Sequence, residues 1–281
     1  MDNHDLIALY QQHLNLQNSA FSRIVHDDAM VAIVYKITQL NGIQFFAGKL
    51  LVPRIIQLVQ PGMDIHGAIL MEYLPGTLLK TTDFTDALAY EMGSLLARIH
   101  INRVTGYGDL IQPQDLNLDP RIHFTLKFEE GLKECRNHLP KAMLEQCRHY
   151  YDAHLNLLDS VDGPCISHRD FRPGNIIVYD GKIRGIIDWS SGRASFAEDD
   201  FCPMEHSEWP PDLTSKKSFL SGYASIRPVP NYSAIMPFLR LNKAIATIGF
   251  TVKRGTWTSI NARPYQFNRH FLEIFLNNLP N

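Results

Sequence analysis

The chain has 281 residues, of which 45% are hydrophobic and 20% charged, with a formal net charge of −2. That size and composition suit a soluble globular chain of one large domain or two lobes. The charge balance supplies no broad basic field for nucleic acid or an anionic membrane, and it permits a cationic small-molecule partner without demanding one.

Cys135, Cys147, Cys165 and Cys202 lie far apart with no C-x-x-C pair. Free thiols in a reducing cytosol are therefore expected, not a disulfide framework or zinc site. The opening MDNHDLIALYQQ contains acids and no uninterrupted apolar core, so it is not read as a secretory signal. No apolar run approaches the roughly 20 residues that span a bilayer, and a cytoplasmic location is expected.

Residues 5–16 have the pattern of a short helix. Phe21–Val25 and Met30–Thr38 are rich in β-branched and aromatic residues and predict strands joined by a turn at His26-Asp27-Asp28. Leu40-Asn41-Gly42 is a turn signal, and the apolar Ile43–Leu50 follows it. Pro53–Val59 and Ala68–Tyr73 predict two further strands, after which Pro75-Gly76 breaks the chain and makes a natural connector.

Beyond the connector the period becomes helical. In Thr82–His100, Leu88, Met92, Leu95, Leu96 and Ile99 share one face, with Asp83 or Thr85 available as N-cap. Pro140–Val161 predicts a second long helix, with Met143, Cys147, Tyr151, Leu155 and Leu158 turned inward. Cys165–Ser167, Asn175–Tyr179 and Lys182–Asp188 read as strands, the last two joined through Asp180-Gly181, a strong hairpin signal. From Lys216 onward the segments are mostly helical. The predicted architecture is α+β and bilobal, with a small β-rich lobe over residues 1–75 and a larger, mainly helical lobe over 76–281 that holds the hairpin.

The chemistry is concentrated in Ile166-Ser167-His168-Arg169-Asp170-Phe171-Arg172-Pro173-Gly174-Asn175 and in Ile186-Ile187-Asp188-Trp189. A strand delivers Asp170 into a loop, Asn175 closes that loop, and the hairpin returns Asp188 to the same end. Phosphoryl transfer from a nucleotide needs this set. One carboxylate orients the attacking hydroxyl and accepts its proton, while a second carboxylate and an amide oxygen hold Mg²⁺ against the phosphates. Arg172 is placed to bring a guanidinium to the transferring γ-phosphate.

H-x-D-x-x-x-x-N followed by I-D-W on the next hairpin strand resembles the aminoglycoside-phosphotransferase and choline-kinase-like family. The resemblance runs from about Phe21 to Cys202 and less distinctly beyond. It implies a protein-kinase-like fold and an enzyme that uses ATP (or GTP) and Mg²⁺ to phosphorylate a hydroxyl of a small molecule, such as an aminoglycoside, an amino alcohol or a sugar. In the same terms Asp170 matches the catalytic base, Asn175 and Asp188 the metal ligands, and His168 the histidine that braces the loop. Ile69–Gly76 resembles the hinge whose backbone near Glu72 and Tyr73 pairs with adenine, and Asp200 resembles a structural aspartate that follows the metal ligand. Trp189 stands where protein kinases have Phe-Gly, and no A-P-E segment follows, which favours a small-molecule acceptor.

The small lobe departs from the pattern. Such kinases add a strand lysine on the phosphates, paired with a glutamate on a small-lobe helix, yet Glu72 is the first glutamate in the chain. Ile43–Leu50 is either a third strand carrying Lys49 as the phosphate lysine, or the tail of that helix with the lysine strand missing. Lys36 is a further candidate. A kinase-fold protein that binds nucleotide or a partner without catalysis is the alternative this shortening raises. Among the remaining residues, Glu198, Asp199, Glu205 and Glu208 form either an acidic wall for an amine-bearing acceptor or a solvated loop. The aromatic tail (Phe250, Trp257, Tyr265, Phe267, Phe271, Phe275) is read mainly as core.

Overall fold

The fold is described from a computed structural model, which describes residues 19–24, 34–39, 51–59, 68–209, 214–258 and 262–279. The helix expected at 5–16, the turns at His26-Asp27-Asp28 and Leu40-Asn41-Gly42, and the segment Ile43–Leu50 with Lys49 lie outside those residues. The chain divides into two compact units, Met1–Thr77 with Ile177–Ile187, and Leu78–Ile176 with Asp188–Asn281.

Strands β1 (Ser19–Ile24) and β2 (Val34–Gln39) pair antiparallel from Ser19↔Gln39 to Ile24↔Val34. Strands β3 (Ile55–Val59) and β4 (Ala68–Met71) pair likewise, with a register shift between Ile55 and Gln57. The short β5 (Thr77–Leu78) follows Gly76, whose φ of +140° suits a residue without a side chain.

Helix α1 (Asp86–His100) starts where Thr85 accepts the Leu88 amide at 3.3 Å, so of the two predicted caps the threonine is used. Its predicted inner face, Leu88, Met92, Leu95, Leu96 and Ile99, is buried throughout. Helix α2 (Pro120–Cys135) is not among the predicted elements; Asp119 caps it and Pro120 opens it. The second predicted helix is α3 (Lys141–His154), with a 3₁₀ continuation over Leu155–Ser160.

Strand β6 (Cys165–Ser167) leads into the predicted catalytic loop. Strands β7 (Ile176–Tyr179) and β8 (Lys182–Ile186) form the hairpin, with both turn residues at positive φ (Asp180 51°, Gly181 66°), as a two-residue turn of this hand requires. Within the first unit the hairpin is tied back by the Ile186 amide, which donates to the Leu51 carbonyl at 2.7 Å. Strand β9 (Arg193–Ser195) then pairs antiparallel with β6, Ser167 opposite Arg193. Helices α4 (Thr214–Ala224), α5 (Met236–Lys253) and α6 (Arg263–Asn277) complete the second unit.

The core of that unit is aromatic. Phe128 stacks on Tyr151 at 3.8 Å between centroids, and Phe238 of α5 lies 5.0 Å from Tyr151 and 5.5 Å from Phe124. The Tyr151 hydroxyl is satisfied by Thr125 at 3.0 Å. Of the aromatic tail, Tyr265 is buried while Trp257 and Phe267 are exposed. All four cysteines are free and buried, and burial pushes each thiol up to about 12. Among the described residues no helix is long and apolar enough to cross a membrane.

Helices α1 and α4 pack backbone to backbone. A Cβ on Gly93 would run into the Phe219 carbonyl, and one on Gly222 into the Tyr90 carbonyl. Alanine raises helix propensity by about 1 kcal/mol over glycine, but here it forces the helices apart, and overpacking typically costs about 1–3 kcal/mol. Gly93→Ala and Gly222→Ala are each expected to lower stability by about 1 kcal/mol net in urea denaturation. An unchanged midpoint for both variants would contradict this packing.

Candidate active site

The predicted catalytic loop is built on a buried carboxylate. Asp200, fully buried, accepts hydrogen bonds from His100 Nε2 at 3.0 Å, from the His168 amide at 2.7 Å and from the Arg169 amide. Burial alone would raise its pKa, but these donors and the adjacent imidazoles hold it below the ordinary carboxylate value. Arg169 takes a left-handed backbone (φ 64°), a costly conformation for a non-glycine residue, and its amide is held there by Asp200.

His168 is fully buried, and its Nδ1 accepts the Asp170 amide at 3.3 Å. Its ring lies 4.6 Å from that of Trp189 and edge-on to Phe171 at 6.1 Å. The histidine therefore fixes the start of the loop through its buried ring and its bond to the Asp170 amide.

Asp170 sits at the centre. Its Oδ2 accepts from Arg172 Nε at 3.1 Å and Asn175 Nδ2 at 2.9 Å, and its Oδ1 accepts from Lys243 Nζ at 3.2 Å. Burial works to raise this carboxyl. The Lys243 ammonium, the Arg172 guanidinium and the hydrogen bonds from Arg172 and Asn175 together outweigh it and hold the group well below the usual carboxylate range. Asn175 ends a 3₁₀ turn (Pro173–Asn175), and its Nδ2 also donates to the Asp170 carbonyl at 2.8 Å. Gly174 lets the Arg172 guanidinium cross the loop, because a Cβ there would meet Arg172 Nη1.

Asp188 follows β8 in a left-handed conformation (φ 59°, ψ 62°), and its Oδ1 accepts from Ser190 Oγ at 2.7 Å. Both Asn175 bonds use Nδ2, which leaves its Oδ1, and Asp188 Oδ2, as acceptors. Hard oxygen donors of this kind suit Mg²⁺. Among the described residues no group of three or more His, Cys, Asp or Glu is arranged for a metal. The remaining coordination would then fall to water and phosphate oxygens, the usual division for a nucleotide-borne Mg²⁺.

Glu72 and Tyr73 lie in the first unit just after β4. The Glu72 amide donates to the Arg54 carbonyl at 2.8 Å, and its carboxylate accepts the Arg54 amide at 3.3 Å. Tyr73 is exposed. Lys36 lies on β2 opposite Ser22.

Residues 38–203 match the sequence profile of the Phosphotransferase enzyme family. The chain belongs to that family. No curated protein matches it. Among solved structures, aminoglycoside phosphotransferase APH(4)-Ia superposes with a TM-score of 0.73 at 11% identity, covering 99% of this chain and 100% of that one. A thermostable mutant of the same enzyme, in ternary complex with ADP and hygromycin B, gives a TM-score of 0.68 at 10% identity, with 97% of each chain covered. Choline kinase from Cryptosporidium parvum Iowa II gives 0.60 at 14% identity, covering 98% of this chain and 95% of that one. At such identities the likeness establishes the fold, which is α+β and protein-kinase-like.

Two features of this family member are not visible in its sequence. Lys243 reaches Asp170 from α5, 73 residues away, with no local pattern to announce it. The acids after Asp188 are engaged internally and do not form a free wall. The Glu198 carboxylate accepts the Asp162 amide at 3.1 Å and burial lifts its pKa to about 6, Asp199 accepts from Arg169 at 2.7 Å, and Glu205 pairs with Lys216 at 2.6 Å. The Glu208 side chain lies outside the description.

Because the folded pKa of Asp170 lies below its unfolded value, its ionised form contributes stability above the ordinary carboxylate pKa of about 4. That contribution is lost only as pH falls through the folded value. Replacing Lys243 with Met removes the largest opposing charge, so the Asp170 carboxyl is expected to titrate at higher pH, read from its carbon-13 carboxyl resonance. An unmoved titration would show that Lys243 does not hold this charge.

Proposed function

We propose that the chain transfers the γ-phosphoryl group of ATP, or of GTP, to a hydroxyl of a small molecule of the aminoglycoside, amino-alcohol or sugar type, neutral or cationic. The observation that carries this reading is Asp170, an ionised carboxylate held by Lys243, Arg172 and Asn175 on a loop braced by buried Asp200. The solved neighbour bound to ADP and hygromycin B supports pairing a nucleotide with a small-molecule acceptor on this fold.

In this reading Asp170 orients the acceptor hydroxyl and receives its proton. The oxygen–phosphorus bond forms as the bond to the β–γ bridging oxygen breaks, releasing the nucleoside diphosphate. A carboxylate held this acidic takes the proton late, so orientation is its main contribution to a loose transition state. Arg172 and Lys243, already bound to Asp170, supply positive charge for the equatorial oxygens of the transferring group. His168 keeps the Asp170 amide in place. Asn175 and Asp188 would hold Mg²⁺, which neutralises phosphate charge when bound. Glu72 and Tyr73 supply the backbone for adenine and Lys49 contacts the phosphates, with residues 1–75 as the nucleotide lobe and 76–281 as the catalytic and acceptor lobe.

Asp170→Ala is expected to reduce phosphoryl transfer by about 10³-fold or more with an unchanged circular-dichroism spectrum. The assay spans aminoglycosides, choline, homoserine and sugars, and a panel with no Asp170-dependent phosphorylation would reject the reading.

The absence of any glutamate before Glu72 favours a second reading, a kinase-fold protein that binds nucleotide without turnover. Thermal shift separates the two. A specific ligand at 100 times its Kd stabilises by about 2.7 kcal/mol, so Mg²⁺-dependent stabilisation by ATP without product identifies the binder.

A further inference from the structure

Behind the catalytic loop, on the side of α2, the second unit has a narrow cleft lined by Arg169, Arg193, His123, Lys127 and Ser195 among others. It has room for about one water-sized atom, at about 10 Å³. Four of those side chains are basic. Their compensation is uneven. Arg169 is paired with Asp199 at 2.7 Å, and Lys127 with Glu130 at 2.8 Å. Arg193 has no carboxylate within ion-pair distance among the described residues. Its Nη1 instead donates to His123 Nε2 at 2.7 Å and its Nε to the Ser191 carbonyl at 3.3 Å. Asp199, Asp109 and Glu130 act on Arg193 through space, and Asp109 on His123 as well. Each carboxylate is bonded elsewhere: Asp199 accepts from Arg169 at 2.7 Å and Ser195 at 2.9 Å, Asp109 from the Ile111 amide at 2.9 Å, and Glu130 from Lys127 at 2.8 Å.

A partly buried guanidinium with a neutral imidazole for its direct partner, whose carboxylate neighbours are all committed to other donors, gains from an added anion. The cost is visible in both groups. Burial, then repulsion from Arg169, brings Arg193 down to about 10, and burial, then Arg193, brings His123 down to about 4. The two arginines are placed rigidly. Arg193 is fixed on β9 opposite Ser167, and Arg169 two residues further on is pinned by Asp200 and Asp199.

We infer that this cleft is an anion site for a phosphate group, free or as the phosphomonoester of a small molecule. One phosphate oxygen enters between Arg193 and Arg169, where guanidinium forks match oxyanion geometry. The remaining oxygens stay at the mouth, where Lys127 is exposed. The site is separate from the acceptors on Asn175 and Asp188. It nevertheless touches the residue immediately before Asp170, so its occupant rigidifies the catalytic loop from behind.

The test is thermal stabilisation of the full chain by inorganic phosphate and by glycerol 3-phosphate, each against sodium chloride at matched ionic strength. Arg193→Gln is expected to weaken the phosphate response by about tenfold or more, the loss of a charge-assisted hydrogen-bonding partner. Lys127→Ala, an exposed substitution that leaves folding untouched, is expected to weaken it by about threefold. Lys243→Met, on the other side of the loop, should preserve it within about twofold. A stronger response to glycerol 3-phosphate assigns an organic phosphomonoester, and a response to inorganic phosphate alone assigns the free ion; both support the site. Equal stabilisation by phosphate and chloride overturns the inference, as does a full phosphate response retained in both Arg193→Gln and Lys127→Ala.

Discussion

The second unit is organised around one buried negative charge. Asp200 has no solvent, so its ionised form exists only because His100 and two loop amides converge on it. His100 in turn contacts the Tyr223 hydroxyl at 2.8 Å, so a single polar chain runs from α4 through the end of α1 to the catalytic loop. The glycine-mediated approach of α1 and α4 sets the spacing this chain needs. The left-handed turn at Arg169 depends on the same carboxylate, and that turn aims Asp170.

The charge on Asp170 is handled differently. It lies near the surface and is balanced by two long side chains, Arg172 from its own loop and Lys243 from α5. Both cations are ones a phosphoryl group would attract. Under the proposed chemistry, substrate binding exchanges one anion for another around two cations already in place, with little new charge to desolvate.

The parts of this site that could be read from sequence are those made within a few residues. The span from His168 to Asn175 closes on itself through bonds of sequence separation two to five, so its spacing alone carries the geometry. The Asp-Gly hairpin and the inner face of α1 are legible for the same reason. Helix α2 carries a usable signal that the predicted elements omit. Asp119-Pro120 is a helix start, and Phe124, Phe128, Leu132 and Cys135 recur at helical spacing and are all buried. Strand β9 has three residues and no room for a period. Lys243 and the Arg193–His123 contact depend on how helices pack, which no local pattern encodes.

Lys243 also has a consequence for how the chain matures. A partly buried carboxylate at position 170 acquires its remote counter-charge only when α5, 73 residues further along at Lys243, docks on the loop. During synthesis the N-terminal segments emerge first, so β6 and its loop are exposed well before that docking is possible. The long sequence separation of this contact makes the loop it closes entropically costly. The site thus becomes electrostatically complete only after α5 has been made and docked, which couples its chemistry to the integrity of that helix.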